Sequence, residues 1–187
     1  MIFSDRQIKA ALETGRIVIE PRPRPDQYAP SAVDLHVADE FKRWKSPPAG
    51  MVQHLRLTNV KLSDYKEYLE TLPLDADGTV TIAPGAFVLS RTVEKVALPA
   101  DSRLAARVEG RSSYARLGLV VHMTAPTIHA GFAGHIVLEM MNFGPFPLKI
   151  DPHETLLCQL IFEELGDAPD CALDTPFQNQ DTVTGKE

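Results

Sequence analysis

Along this chain, apolar residues recur at every second position in short runs, and each run is cut by turn-forming residues. Val33, Leu35 and Val37 alternate with Asp34, His36 and Ala38. Phe87, Leu89, Val93, Val96 and Leu98 supply core candidates over 79–98, and 135–141 and 156–162 read as two further strong strands. Successive side chains of a strand point to opposite faces, so this period fits half-buried strands. Pro84-Gly85, Pro99-Ala100-Asp101, Phe143-Gly144-Pro145 and Asp151-Pro152-His153-Glu154 punctuate the runs as turns. Many short strands with such punctuation predict a mainly β domain, a distorted jelly roll or β-barrel with a few short helices.

The helical signals are local. Ser4 and Gln7 have the spacing of a capping box, Ile8, Ala11 and Leu12 form an apolar stripe, and Gly15 ends the helix. Segment 16–20 reads as a short strand, and the proline-rich 21–30 as an extended arm or loop. Segment 31–44 reads as one strand, in which Asp34 is either an architectural hydrogen-bonding residue or a plainly exposed one. Segment 46–50 reads as a turn, 62–72 as a short helix, and Asp75-Ala76-Asp77-Gly78 as a turn.

A length of 187 residues fits one domain, 1–187, with a sizeable core. The apolar pattern is lost after Gly166, so 167–187 is expected to be a flexible tail. The formal net charge of −6 argues against a nucleic-acid polymer as partner, so any phosphate ligand must be held by local positive groups. Cys158 and Cys171 are too few for a disulfide framework. No apolar stretch is long enough to span a membrane and no signal-peptide pattern is present, so a cytoplasmic protein is expected.

The segment 109–118 carries the most chemistry. Gly110 is conformationally free, a short helix is expected over 111–117, and Gly118 stands where a helix C-terminal glycine belongs. Ser112 and Ser113 place hydroxyls at the helix start, and Ser112 and Arg116 share a face. Arg111 and Arg116 offer guanidinium forks that match phosphate oxygens. The pattern fits a polyphosphate cradle; it also fits a capped surface helix with two solvated arginines. Further on, Glu139 interrupts an otherwise apolar strand between Leu138 and Met140. It is either a partly buried general base or an outward-facing strand residue.

Gly110-Arg111-Ser112-Ser113-x-Ala115-Arg116-Leu117-Gly118-Leu119, Thr124-Ala125, Gly131-Phe132-x-Gly134 and Ile136-Val137-Leu138-Glu139-x-x-Asn142 occur in that order. Together they resemble the deoxycytidine triphosphate deaminase branch of the trimeric deoxyuridine triphosphatase superfamily. The resemblance implies a dUTPase-like fold, a homotrimer with sites between subunits, and hydrolytic deamination of dCTP to dUTP and ammonia. By resemblance, Glu139 is the general acid/base, Ser112 and the carbonyl of Ala125 position the water, and Arg116 orients Glu139. The nucleotide would be held by Arg111, Ser112, Ser113, Arg116, His129, Val137, Leu138 and Gln180, with 167–187 closing as a lid. Mg²⁺ would arrive bound to the substrate triphosphate.

Zinc is not expected, because the chain has no Cys-x-x-Cys and its six histidines form no helical ligand pair. The chain departs from the family at three places. His129 stands where an aspartate is usual, and it is not a carboxylate base, which argues against hydrolysis of dUTP. Pro126 and Thr127 replace polar residues near the base. Pro169 and Pro176 fall on a tyrosine and a lysine of the lid. Two alternatives follow: a dUTP diphosphatase, alone or combined with deamination, and a nucleotide-binding trimer without turnover.

Overall fold

The computed structural model describes residues 1–46, 54–58, 61–175 and 177–185. The turn expected at 46–50 therefore lies largely outside the described residues. The chain opens with helix α1 (Asp5–Glu13), then strands β1 (Val18–Glu20), β2 (Tyr28–Ala29), β3 (Ala32–His36), β4 (Lys42–Trp44) and β5 (Leu69–Thr71). It continues through β6 (Val80–Ile82), β7 (Phe87–Ala97), β8 (Leu104–Gly110), helix α2 (Ser112–Ala115), β9 (Leu119–Val120) and β10 (Thr127–Ile128). Strands β11 (Ala133–Asn142), β12 (Leu148–Ile150) and β13 (Leu156–Glu164) complete the fold.

One sheet runs β5-β4-β7-β11-β9, with β1 also on β7; the other runs β10-β8-β13-β3-β2, and β12 pairs with β6. The named strand pairs are antiparallel, and an isolated bridge from Val37 to Thr92 ties the large sheets together. Among the described residues the strands do not close into one continuous barrel. The fold is mainly β with a few short helices, as the sequence implied.

The core lies between the sheets. Val33, Leu35, Leu104, Leu138, Leu160 and Phe162 are fully buried, and each side chain of this size withdrawn from water contributes about 1.5–3 kcal/mol. The α1 capping box forms as expected: Gln7 N donates to Ser4 Oγ at 3.4 Å, and Ser4 N donates to Gln7 Oε1 at 2.9 Å.

Two segments differ from the sequence reading. The expected strand over 31–44 is two strands in different sheets. Val37 N donates to Thr155 O at 3.2 Å, then Ala38 N to Arg91 O at 2.9 Å, so the chain crosses between layers there. Val37, Ala38 and Phe41 are all buried, which is why the crossing looks like a continuing apolar run. The expected helix over 62–72 is a 3₁₀ helix, Leu62–Tyr68, that passes directly into β5. No helix among the described residues is long and apolar enough to cross a membrane.

Candidate active site

Strand β11 carries Val137 and Glu139. Its register against β7 shifts between His135 and Val137. There the Thr92 hydroxyl donates to Glu94 O at 2.7 Å and accepts from Ile136 N at 3.0 Å. Beyond this irregularity the strand alternates again: Leu138 and Met140 are 0% exposed, while Val137 and Glu139 line a cavity of about 630 Å³. That volume is in the range of small-molecule sites. Phe87 and Leu89 of β7, Val108 of β8 and Ile128 of β10 form its apolar wall.

Burial pushes the Glu139 carboxyl above the ordinary glutamate range, and the facing backbone N–H groups of Met123 and Glu139, with the His122 charge, pull it partly back. A carboxyl under these opposed influences is a candidate for taking a proton and returning it. Ala125 lines the same cavity. The residue after it is anchored, because Val108 N donates to Pro126 O at 2.9 Å.

His129, Val137 and Gln180 also line the cavity, so five residues singled out in the sequence, with Glu139 and Ala125, meet there. Leu138 enters the core instead. Ser112, Ser113 and Arg116 are exposed and do not line the cavity.

Helix α2 spans four residues, shorter than expected. Its end tightens through i to i+3 bonds, Leu117 N to Tyr114 O at 2.9 Å and Gly118 N to Ala115 O at 3.0 Å. Gly118 has φ +94°, and a Cβ there would lie 2.2 Å from Gly144 N, so this contact admits only glycine. Arg111 is engaged within the subunit: its Nη1 lies 3.0 Å from Asp34 Oδ2 and its guanidinium sits over the Tyr114 ring. Asp34 also accepts from Gln159 Nε2 at 2.8 Å, which makes it an architectural residue.

The C-terminal segment folds back over the cavity. Leu173, Asp174, Thr175, Phe177, Gln180 and Val183 line it. Asn179 N donates to Ala133 O at 2.6 Å, His135 N to Gln180 O at 3.1 Å, and Gln180 Nε2 to His135 O at 2.7 Å.

The sequence reading did not single out His122 or Asp174. His122 lines the cavity with Nε2 3.9 Å from Glu109 Oε2, and among the described residues its buried Nδ1 has no hydrogen-bond partner. Its signal was a histidine just past an apolar strand. Asp174 had none, since its neighbours are non-periodic. No group of three or more His, Cys, Asp or Glu among the described residues is arranged to hold a metal ion.

The chain is thus a β sandwich of the dUTPase-like type in which a glutamate carboxyl, raised by burial, lines a ligand-sized cavity. Residues 2–165 match the dCTP deaminase-like family, and the chain belongs to it. It is 42% identical over 165 residues to the dUMP-forming dCTP deaminase of Methanothermobacter thermautotrophicus, covering 88% of this chain and 79% of that one. It is 38% identical over 168 residues to the dCTP deaminase of Rhodospirillum rubrum, covering 88% and 83%. The fold is similar to the crystal structure of 2'-deoxycytidine 5'-triphosphate deaminase from Agrobacterium tumefaciens, with a TM-score of 0.63 and 22% identity. That match covers 86% of this chain and 47% of the longer Agrobacterium chain.

Proposed function

We propose that this protein deaminates dCTP by metal-free hydrolysis at C4 of the base, and that its end product is dUMP. The observation that carries the first step is Glu139, raised by burial, on the wall of a ligand-sized cavity. Glu139 takes a proton from water as the water oxygen bonds to C4. It then passes the proton to the base, the C4–N4 bond breaks, and ammonia leaves. The carbonyl of Ala125 is the acceptor that holds the water.

Ser112, Ser113 and Arg116 are exposed outside this cavity. We assign them to the cavity of a neighbouring subunit, which makes the working form a homotrimer. Arg111 is the exception in the cradle, since Asp34 already holds its charge. Mg²⁺ enters with the triphosphate, whose oxygens are its preferred ligands. Gln180 and the tail cover the bound nucleotide.

The product reading revises the expectation of dUTP. Several relatives at 38–42% identity are named dUMP-forming. Incubation with dCTP and separate assay of ammonia, diphosphate, dUTP and dUMP tests both steps. Ammonia with dUMP is expected. Ammonia with dUTP alone overturns the product, and no ammonia overturns the deaminase.

A further inference from the structure

The cavity has two unlike flanks, one on each side of Glu139, because β11 lies between β7 and β9. On the β7 flank Leu89 stands directly opposite Glu139, and Leu89 is in turn opposite Lys42 of β4. Residues opposite one another share a face of a sheet, as do residues two apart on one strand. Phe87, two before Leu89, and Trp44, two beyond Lys42, therefore continue the face that carries Glu139. Leu89, Phe87 and Trp44 all line the cavity, together with Leu62 of the 3₁₀ helix. With strands about 4.8 Å apart, this apolar strip reaches about 10 Å from Glu139 across the sheet. On the other flank the segment after β9 brings His122 and Ala125 into the cavity, and the Met123 N–H faces the Glu139 carboxyl. The carboxyl is thus held toward the polar flank, and the strip stands open beside it. A 4-aminopyrimidine ring is two-sided in the same way. Its reacting C4 lies between N3, a hydrogen-bond acceptor, and C5, which in cytosine carries only hydrogen. With C4 at Glu139, the matching orientation puts N3 on the polar flank and C5 on the strip, which the cytosine hydrogen leaves unfilled.

We propose that this strip is a subsite for an apolar group at C5 of the base, so that 5-methyl-dCTP is a substrate at least as good as dCTP, with Leu89, Phe87 and Trp44 setting the preference. A methyl group at C5 meets Leu89 first, and a longer substituent runs on to Phe87 and Trp44. The chemistry at C4 is unchanged. The water oxygen bonds to C4, the C4–N4 bond breaks, and ammonia leaves with the proton that Glu139 returns. The C5 substituent keeps its bond throughout, so the product of 5-methyl-dCTP carries thymine. The inference rests on the deaminase reading and deepens it by naming a wider substrate class.

The test measures ammonia release by the full-length protein from dCTP, 5-methyl-dCTP and 5-hydroxymethyl-dCTP. For 5-methyl-dCTP, kcat/KM is expected to be about fourfold above that for dCTP, the effect of burying one methyl-sized group. The hydroxymethyl group is nearly as small but polar, and it is expected to fall about tenfold below methyl, since the strip offers its hydroxyl no partner. Leu89→Asn and Phe87→Asn each put a polar group on the strip and are expected to bring the ratio of 5-methyl-dCTP to dCTP below one. Phe87 is half-buried at the start of β7, so its variant tests the strip even where Leu89→Asn fails to fold. Trp44→Ala is expected to slow 5-propynyl-dCTP more than 5-methyl-dCTP, because only the longer group reaches it. A 5-methyl-dCTP turned over less well than dCTP, or a ratio that neither asparagine variant moves, overturns the subsite while the deaminase stands. No ammonia from any of these nucleotides overturns the deaminase reading and the subsite with it.

Discussion

Asp34 Oδ2 and Arg111 Nη1 meet at 3.0 Å, joining β3 to the residue that precedes α2. The Asp34 side chain is 8% exposed and the Arg111 side chain 33%, so the carboxylate is the deeper partner. Removing the arginine leaves that carboxylate, among the described residues, with Gln159 Nε2 as its side-chain donor. Arg111→Ala is therefore expected to cost about 1.5–3 kcal/mol, the range for a hydrogen bond to a charged group. Urea denaturation measures it. The double variant Asp34→Asn/Arg111→Ala is expected to lose less than the sum of the single changes. An unchanged midpoint in Arg111→Ala would return this arginine to the phosphate cradle.

Glu139 gives a pH-dependent prediction. Its carboxyl pKa is raised above the ordinary glutamate range, chiefly by burial. The folded state therefore binds this proton more tightly than the unfolded chain. The resulting stability is fully present below the unfolded pKa and is lost as pH rises through the folded one. Glu139→Gln has no such proton to lose. It is expected to match the wild type below pH 4.5 and to exceed it in melting temperature at neutral pH. Ammonia release in the same variant is expected to fall by about 10²–10⁴-fold. A wild-type rate in Glu139→Gln, or a melting difference that shrinks with rising pH, contradicts the assignment.

The tail crossing is testable through one glycine. Gly134 has φ +141°, and a Cβ there would lie 2.9 Å from Gln180 N. Gly134→Ala is expected to displace the tail from β11 while the sheets remain, because the contact is with the tail backbone. Circular dichroism should be unchanged and KM for dCTP raised. Gln180→Ala, which loses the bond to His135 O, is expected to act in the same direction. Proteolysis that cuts the tail no faster in Gly134→Ala than in the wild type would show that the tail tolerates the methyl group.

Much of the fold was legible because strand alternation is a local signal. Val33, Leu35, Leu138 and Met140 sit in the core as their period implies. The capping box and the Gly118 turn are equally local. What could not be read depends on distant pairings. Arg111 looked like a free phosphate fork, and only the fold shows that Asp34 and the Tyr114 ring occupy it. Glu94 sat in the pattern as an ordinary strand residue. It is 1% exposed, accepting from Gln27 Nε2 at 3.0 Å and His36 N at 3.0 Å, with His36 Nδ1 at 2.7 Å. Asp174 joins the cavity because of where the tail crosses Gly131, which no local pattern encodes.

The buried carboxylate of Glu94 carries its own prediction. Its oxygens face Gln27 Nε2, His36 N and His36 Nδ1; an apolar replacement takes this acceptor from both His36 groups, while Gln27 Nε2 keeps Asp34 O at 2.9 Å. Each stranded buried donor costs about 1–3 kcal/mol. Glu94→Leu is expected to be among the most destabilising changes in the chain, measured by thermal unfolding, and Glu94→Gln milder. Equal melting points for Glu94→Leu and the wild type would show that the network contributes no net stability.

The last prediction concerns the division of the site between subunits. Glu139 lines the cavity, whereas Arg116 is exposed on α2 outside it. If each working site takes Glu139 from one subunit and Arg116 from the next, two inactive variants complement each other. Glu139→Gln supplies an intact Arg116, and Arg116→Ala supplies an intact Glu139. In randomly mixed cyclic trimers, about a quarter of the interfaces pair the two intact residues. Co-expression of the two variants is therefore expected to restore about a quarter of wild-type ammonia release per subunit, by the same symmetry. Each variant alone remains near zero. A site contained in one subunit cannot be repaired in this way, because no subunit of the mixture carries both residues. Co-expressed trimers no more active than the separate variants would place Arg116 in the same subunit's site, or outside the chemistry altogether.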